Sequence, residues 1–274
     1  MKIFVTYSNE RYAKARDFAG KMAKRFGKFD KVIIYKPKDI DDDFKEKNKE
    51  ILSFKKGAGL WLWKPYVVNK ALNEECKEGD YLFYADAASF FIRSVDHIIK
   101  AWGDQDVFVS PVPLKEWQFT KADCFKLLNC DTDEFKQTAQ IQGSFMGFRK
   151  SEKSVKFVAE WLRRCCDICL LHPDNIALHL ENPQGFDAHR EDQSMLSLLS
   201  KQWGIQPHTD LTQYGKYPEK YLFRDYERAE ISTKREYPVC IIMHRTANVD
   251  KLVALKQLIL ALVPRKLGLH LIHN

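Results

Sequence analysis

The chain reads as an α/β fold: a mostly parallel central sheet flanked by helices, in one continuous domain. Three observations carry that reading. Residues 3–6 (Ile-Phe-Val-Thr), 10–26 and 31–35 (Lys-Val-Ile-Ile-Tyr) alternate as strand, helix and strand, the order that joins two parallel strands by a right-handed crossover. Residues 81–84 are an uninterrupted apolar and aromatic run behind Gly79-Asp80, too short for a helix and suited to a strand covered on both faces. The length of 274 residues, with 45% hydrophobic and 30% charged, is enough to bury a core of that kind.

Each element follows from local signals. Ser8 or Asn9 can cap the 10–26 helix. The acidic run 39–43 is a loop or a helix start. Lys64-Pro65 opens a helix through residue 72, proline being tolerated in a first turn. Beyond the 81–84 strand, residues 90–102 read as helix, 106–111 as strand and 117–128 as mixed. Residues 141–148 carry Gly143 and Gly147 inside an apolar run, the mark of a strand with a close backbone approach. Residues 151–171 have the strongest helical periodicity, with Val155, Val158, Leu162, Cys165 and Cys169 on one face. A loop at 173–188 precedes a helix at 192–202, whose buried stripe is Met195, Leu196 and Leu199. Residues 239–243 are a last strand. Residues 249–262 are a final amphipathic helix, and the tail runs to residue 274. No repeat or low-complexity linker divides the sequence, so 1–274 reads as a single domain.

The net charge of +7 is compatible with anionic partners, but Lys and Arg are spread along the chain, whereas a dedicated nucleic-acid binder concentrates them. Of the seven cysteines, Cys165, Cys166 and Cys169 lie close together without a second Cys or His pair at zinc-finger spacing, so they read as buried thiols. The N-terminus runs straight into a strand, and no apolar run approaches the ~18 residues of a membrane span. The expectation is a protein of the reducing cytoplasm. The final helix, followed by Pro264-Arg265-Lys266, either packs on its own domain or docks peripherally on an anionic membrane surface.

Open α/β sheets bind ligands beyond the carboxyl ends of their strands. Asp86 stands at such an end. Asp192-Gln193 at a helix start and His244-Arg245 after a strand are two further polar clusters. Brought together, the three make a polar pocket at one edge of a sheet. Each also has a plainer reading: Asp86 as a turn starter, Asp192 as a helix cap, Gln193 as a solvated first-turn residue, His244 as a hydrogen-bonded core histidine. The segment Gly57-Ala58-Gly59-Leu60-Trp61-Leu62-Trp63-Lys64-Pro65-Tyr66 lacks the spacing of a phosphate-binding loop. Its aromatic rings suit stacking on a base or sugar, or core packing, and Lys64 suits a phosphate. Gln142, Gly143 and Ser144 suit hydrogen bonding to a polyhydroxylated ligand.

Taken in order, several segments resemble the GT-A-fold, nucleotide-sugar-dependent glycosyltransferases, with glycogenin-like and related retaining enzymes the nearest analogy. They are Val5-Thr6-Tyr7-Ser8-Asn9, Gly57-Ala58-Gly59 with Trp61-Leu62-Trp63-Lys64-Pro65-Tyr66, Gly79-Asp80, Tyr84-Ala85-Asp86-Ala87, Glu160-Trp161-Leu162, His189-Arg190-Glu191-Asp192-Gln193-Ser194 and His244-Arg245. The resemblance implies a GT-A-like (Rossmann-like) domain that moves a sugar from a nucleotide-diphosphate donor, by analogy a UDP-sugar. The implied acceptor is a glycan, lipid-linked or protein hydroxyl, as in polysaccharide biosynthesis, and the implied partners include no nucleic acid. It also implies donor contacts from Thr6, Tyr7, Ser8, Lys64, Asp86, Ala87, Gln142, Gly143 and Arg245, and catalytic roles for Asp192 and Gln193 beside the transferred sugar.

An Asp-x-Asp motif in such enzymes holds the diphosphate through Mn²⁺ or Mg²⁺; the resemblance puts Asp86 at its first position and implies a weak site completed by His244, diphosphate oxygens and waters. Ala88 stands at the third position of that motif, and a hard divalent ion takes several oxygens. Lys64, Arg149, Arg190 or Arg245 are then the alternative partners of the leaving diphosphate. A carboxylate at a helix N-terminus keeps a low pKa, which makes Asp192 a charge stabiliser and favours retention; in an inverting enzyme Glu191 or Asp192 is the base. The missing second carboxylate leaves a non-catalytic nucleotide-sugar or glycan-binding module on the same fold as the alternative. A nucleic-acid binder with steep salt dependence is the third reading.

Overall fold

Alternation along the strands splits the core into two halves, one on each face of a central sheet. The computed structural model describes residues 1–221, 225–232 and 234–273. Its strands are β1 (Lys2–Tyr7), β2 (Lys31–Tyr35), β3 (Tyr81–Ala85), β4 (Ser89–Phe91), β5 (Val107–Phe108), β6 (Pro111–Lys115), β7 (Ala139–Ile141), β8 (Phe145–Arg149) and β9 (Ile241–Met243). The main sheet has five strands in the order β2-β1-β3-β8-β5. β1 pairs in parallel with β2 and β3, whereas β8 runs against both β3 and β5. The sheet is therefore mostly parallel, with β8 alone reversed. Two small sheets, β4-β9 and β6-β7, stand beside it.

Along β3, Leu82 and Tyr84 point into one core half while Phe83 and Ala85 point into the other, as a two-residue period requires. The first half is roofed by the helices Trp63–Glu74, Glu152–Cys165 and Glu191–Gln202, which contribute Val67, Trp161 and Met195 among others. The second half takes Ile98 and Trp102 from the helix Asp96–Trp102, and Ile241 and Met243 from β9. Among the described residues no helix is long and apolar enough to cross a membrane.

Most predicted elements stand within a few residues of their expected bounds, and five depart from them. Residues 106–111 are not one strand: Val107–Phe108 is β5 in the main sheet, and Pro111 already begins β6 in a small one. Residues 90–102 are not one helix. Phe90 and Phe91 belong to β4, paired with Ile242 and Ile241 of β9, and the helix begins only at Asp96. Consecutive aromatic and β-branched side chains accept a long-range strand partner readily, and tertiary pairing overrides the local helical pattern.

Residues 141–148 are two strands, because Gly143 between them spends its backbone on other elements: its N–H donates to Gln193 Oε1 at 2.9 Å and its carbonyl accepts from Lys64 Nζ at 2.9 Å. Residues 10–26 start as a tight turn at Glu10–Tyr12 and end as a wider turn at Ala23–Gly27 around the helix Ala13–Met22. Neither Ser8 nor Asn9 caps it by a side chain; the Ser8 hydroxyl donates to the Asn9 carbonyl instead. The 151–171 helix breaks at Cys166. Ser151 caps its first part and Asp167 its second, Ile168–Leu171, and the buried face is built on Phe157, Val158, Trp161 and Cys165 while Val155, Leu162 and Cys169 are half-buried.

Because β1 and β3 run together and β8 runs against them, the end of β1 at Tyr7, the end of β3 at Ala85 and the start of β8 at Phe145 share one edge. Gly147, in the middle of β8, keeps that arrangement tight: a Cβ there would lie 2.7 Å from Trp102 Cη2 and 3.0 Å from Phe83 Cε1. Gly147→Ala is expected to cost roughly 1–3 kcal/mol through overpacking, read as a lower midpoint in urea unfolding.

Candidate active site

The shared edge opens into a cavity of about 460 Å³. Tyr7, Ser8 and Asn9 from the end of β1, Asp86, Ala87 and Ala88 from the end of β3, and Ser144 from the start of β8 form its floor. Its walls are Arg11 and Tyr12 from the turn after β1, Lys55, Gly57, Ala58, Trp61 and Trp63 from the segment before the helix Trp63–Glu74, and Met243 and Arg245 from the end of β9.

The wall built by residues 57–61 has an uncommon backbone. Gly57, Ala58, Gly59, Leu60 and Trp61 all have positive φ, between 51° and 97°. A left-handed turn costs each non-glycine residue roughly 1–2 kcal/mol, so the surroundings must hold it. Trp63 does part of this: its indole N–H donates to the Gly57 carbonyl at 2.9 Å, and its ring stacks on Tyr7 with centroids 4.1 Å apart. The turn also folds the Trp61 ring over Gly57, where a Cβ would come within 2.3 Å of the indole. Trp63 is thus largely core, whereas Trp61 is half-buried and faces the cavity.

Behind the floor lies a buried charge cluster. Lys64 Nζ is 2.9 Å from Asp192 Oδ2 and 3.6 Å from Asp86 Oδ1, and the Lys64 and Asp192 side chains are each only 5% exposed. The Tyr84 hydroxyl donates to the same Asp86 Oδ1 at 2.7 Å. Gln193 completes the cluster, accepting from Gly143 N–H and donating to Gln140 Oε1 at 2.7 Å. The Trp161 indole donates to the Asp192 carbonyl at 2.9 Å.

Burial dominates the titration of these groups. It pulls the Lys64 ammonium down, but Asp192 and Asp86 together outweigh it and the pKa is raised. It pushes the Asp192 carboxyl up to about 6, against the opposing pull of Lys64, and Glu191 up to about 7, against Lys56. The low pKa expected of Asp192 at a helix N-terminus is therefore overturned: loss of water outweighs the helix end.

The expected site residues fall into three groups. Tyr7, Ser8, Asp86, Ala87 and Arg245 line the cavity. Lys64, Gly143, Asp192 and Gln193 come together in the cluster behind it. Thr6, Gln142 and His244 are in neither: Thr6 is fully buried within β1, Gln142 is buried beside Asp210, and the His244 ring tilts against Phe90 with its Nδ1 on the Thr246 hydroxyl.

Of the alternative cations, Arg149 pairs with Asp106 at the opposite edge of the sheet and Arg190 lies over the Phe119 ring. Arg11, Tyr12 and Lys55 are cavity residues that sequence reasoning missed. Among the described residues Arg11, Lys55 and Arg245 form no ion pair with a carboxylate; Arg11 lies over the Tyr12 ring and Arg245 over the Tyr214 ring.

The residues present do not fit the divalent ion implied by the resemblance. Asp86 Oδ1 is already engaged, Ala88 offers no side-chain oxygen, and the His244 ring is not part of the cavity lining. Among the described residues no three His, Cys, Asp or Glu side chains converge to hold a metal.

No protein-family model matches the sequence, and no curated protein matches it. Solved structures with which the chain shares a likeness include glycosyltransferases. Mouse xyloside xylosyltransferase 1 is 12% identical over 89% of this chain and 97% of that one, with a TM-score of 0.46. The galactosyltransferase LgtC, in complex with donor and acceptor sugar analogues, is 13% identical over 97% of this chain and 98% of that one, at 0.47. The glycosyltransferase GlyE of Streptococcus pneumoniae is 11% identical over 98% of this chain and 62% of that one, at 0.43. At these values the likenesses assign no residue a role.

Two outcomes follow from the charge cluster. Lys64→Met leaves Asp192 buried without its partner and is expected to destabilise the fold by about 3–5 kcal/mol, with Asp192→Asn in the same chain recovering part of the loss; urea unfolding of the two variants measures it. For Glu191 the folded pKa lies above the ordinary 4.5, so the folded state holds the extra proton. Its contribution to stability is complete below about pH 4 and is lost as pH rises through about 7. The melting temperature of Glu191→Gln relative to the unmodified chain should therefore rise between pH 5 and pH 8.

Proposed function

We propose that the chain is a glycosyltransferase, one domain over residues 1–274, that passes a sugar from a UDP-sugar to a hydroxyl of a glycan, lipid-linked or protein acceptor. The observation that carries this reading is the content of the cavity: aromatic rings, three cations unpaired among the described residues, and one carboxylate, at the strand-end edge where α/β sheets take ligands. A nucleobase stacks on Trp61 or Tyr12. Arg11, Lys55 and Arg245 meet the diphosphate, a charge these side chains suit without a metal. Asp86 faces the sugar through Oδ2, while Tyr84 and Lys64 hold Oδ1.

In the reaction the bond from the anomeric carbon to the diphosphate breaks, its electron pair goes to the phosphate oxygen, and the three cations stabilise that charge. The acceptor oxygen forms the new bond and its proton passes to the departing diphosphate. Attack from the face the diphosphate leaves retains the anomeric configuration. Asp86, the single carboxylate lining the cavity among the described residues, is tied to Tyr84 and Lys64, which suits it to stabilising positive charge on the sugar and supports retention over general-base catalysis. Asp192 and Gln193 act here as positioning residues, through Lys64 and the Gly143 backbone respectively. The seven unpaired cysteines suit a reducing compartment such as the cytoplasm.

Differential scanning fluorimetry with UDP, in EDTA and then in Mn²⁺, together with UDP-sugar turnover, tests this reading. UDP is expected to raise the melting temperature equally in both buffers. Arg245→Gln should weaken that effect, and Asp86→Asn should cut turnover by ~10²–10³ while leaving UDP binding intact. No stabilisation by any nucleoside diphosphate, or undiminished turnover by Asp86→Asn, would contradict it. Binding without turnover of any sugar nucleotide would leave only a binding module.

A further inference from the structure

The helix Lys251–Leu262 has two unlike sides. Inward, Leu260 and Ala261 are buried, and the helix packs by Ala254 and Ala261 on Phe90, Val239 and Ile242. Both ends are fixed. The Asp250 carboxylate accepts from the N–H groups of Leu252 and Val253 at 2.9 and 3.1 Å. At the other end Lys216 Nζ donates to the carbonyls of Leu260, Ala261 and Val263, and the Tyr217 hydroxyl donates to that of Leu260.

Outward, Leu252 is 78% exposed, Leu255 52%, Ile259 42% and Leu262 58%. Spaced by three, four and three residues, these four side chains form a single stripe, and at about 100° per residue Lys251 and Lys256 border it on opposite sides. Beyond Pro264, Lys266 is exposed beside Leu267, which is 51% exposed. Residues 251–273 contain no Asp or Glu.

We propose that this face docks peripherally on a membrane surface containing anionic lipid, with the aliphatic stripe among the upper acyl chains and the bordering lysines at the headgroups. The inference is independent of the transferase reading. A second copy of this chain is the other occupant that the spacing invites, and its chemistry is wrong. With Leu252 and Ile259 at a and Leu255 and Leu262 at d, Lys251 falls at g and Lys256 at e. A parallel pair then sets Lys251 against Lys256, and an antiparallel pair sets each lysine against itself. The helix is only ~18 Å long, less than two heptads, where a coiled coil needs about three or four. An anionic surface turns the same lysines into attractions and has no length requirement.

Co-sedimentation of the full chain with vesicles tests the proposal, comparing phosphatidylcholine alone with phosphatidylcholine containing about one third phosphatidylglycerol. Binding is expected to be at least ~tenfold stronger on the anionic vesicles and to fall as salt rises. Leu255→Glu with Ile259→Glu should lose that binding at a nearly unchanged melting temperature, because neither side chain is buried. Lys251→Glu with Lys256→Glu should weaken it on anionic vesicles only. No binding of the unmodified chain, equal binding by the Leu255 and Ile259 double variant, or a dimer in analytical ultracentrifugation that this variant dissolves would overturn it.

Discussion

A lysine buried beneath a cavity floor needs compensation, and much of this site is arranged around supplying it. Lys64 is 4% exposed and meets Asp192, Asp86 and the Gly143 carbonyl. Moving an ammonium out of water is tolerated only when charge and hydrogen bonds replace the lost solvation. The three partners come from the start of the helix Glu191–Gln202, the end of β3 and the link between β7 and β8, while the lysine comes from the helix Trp63–Glu74. Four separate chain segments are thereby tied at one point directly behind the cavity.

The same constraint explains why Asp86, the one carboxylate lining the cavity among the described residues, is oriented. Asp86 is 36% exposed at its side chain, so water alone would leave it free to turn. Tyr84 and Lys64 fix one of its oxygens, Oδ1, at the cavity edge. The left-handed turn at residues 57–61 serves the opposite wall, holding Trp61 over Gly57 while Trp63 anchors it on Tyr7. Backbone strain of this kind persists where the surroundings over-determine it, and here the surroundings are an aromatic stack and an indole hydrogen bond.

The sequence made the fold legible where period and boundary agreed. The run 31–35 and the run beginning at Tyr81 are strands because short β-rich segments bounded by polar residues have few other options. Phe90 and Phe91 carry a local helical pattern; their partner, β9, lies about 150 residues further on and no local period announces it. Of the site, Asp86, Lys64 and Asp192 could be picked out as charges beside apolar runs. That Lys64 bonds to Asp192, and that burial raises Asp192, depends on solvent exclusion by three helices. Arg11 and Lys55 belong to no motif; they count only because folding brings them to the same cavity as Arg245. His244 was legible as a polar residue after a strand, but the face it takes is set by the pairing of β4 with β9, which turns it toward Phe90.

The most direct measurement is a crystal structure of the chain soaked or co-crystallised with UDP in metal-free buffer. The account predicts UDP in the cavity beside Asp86, its base against Trp61 or Tyr12 and its diphosphate within hydrogen-bonding distance of at least two of Arg11, Lys55 and Arg245. UDP bound elsewhere on the chain, or a cavity that stays empty at saturating UDP and fills only through a metal on Asp86, would contradict it.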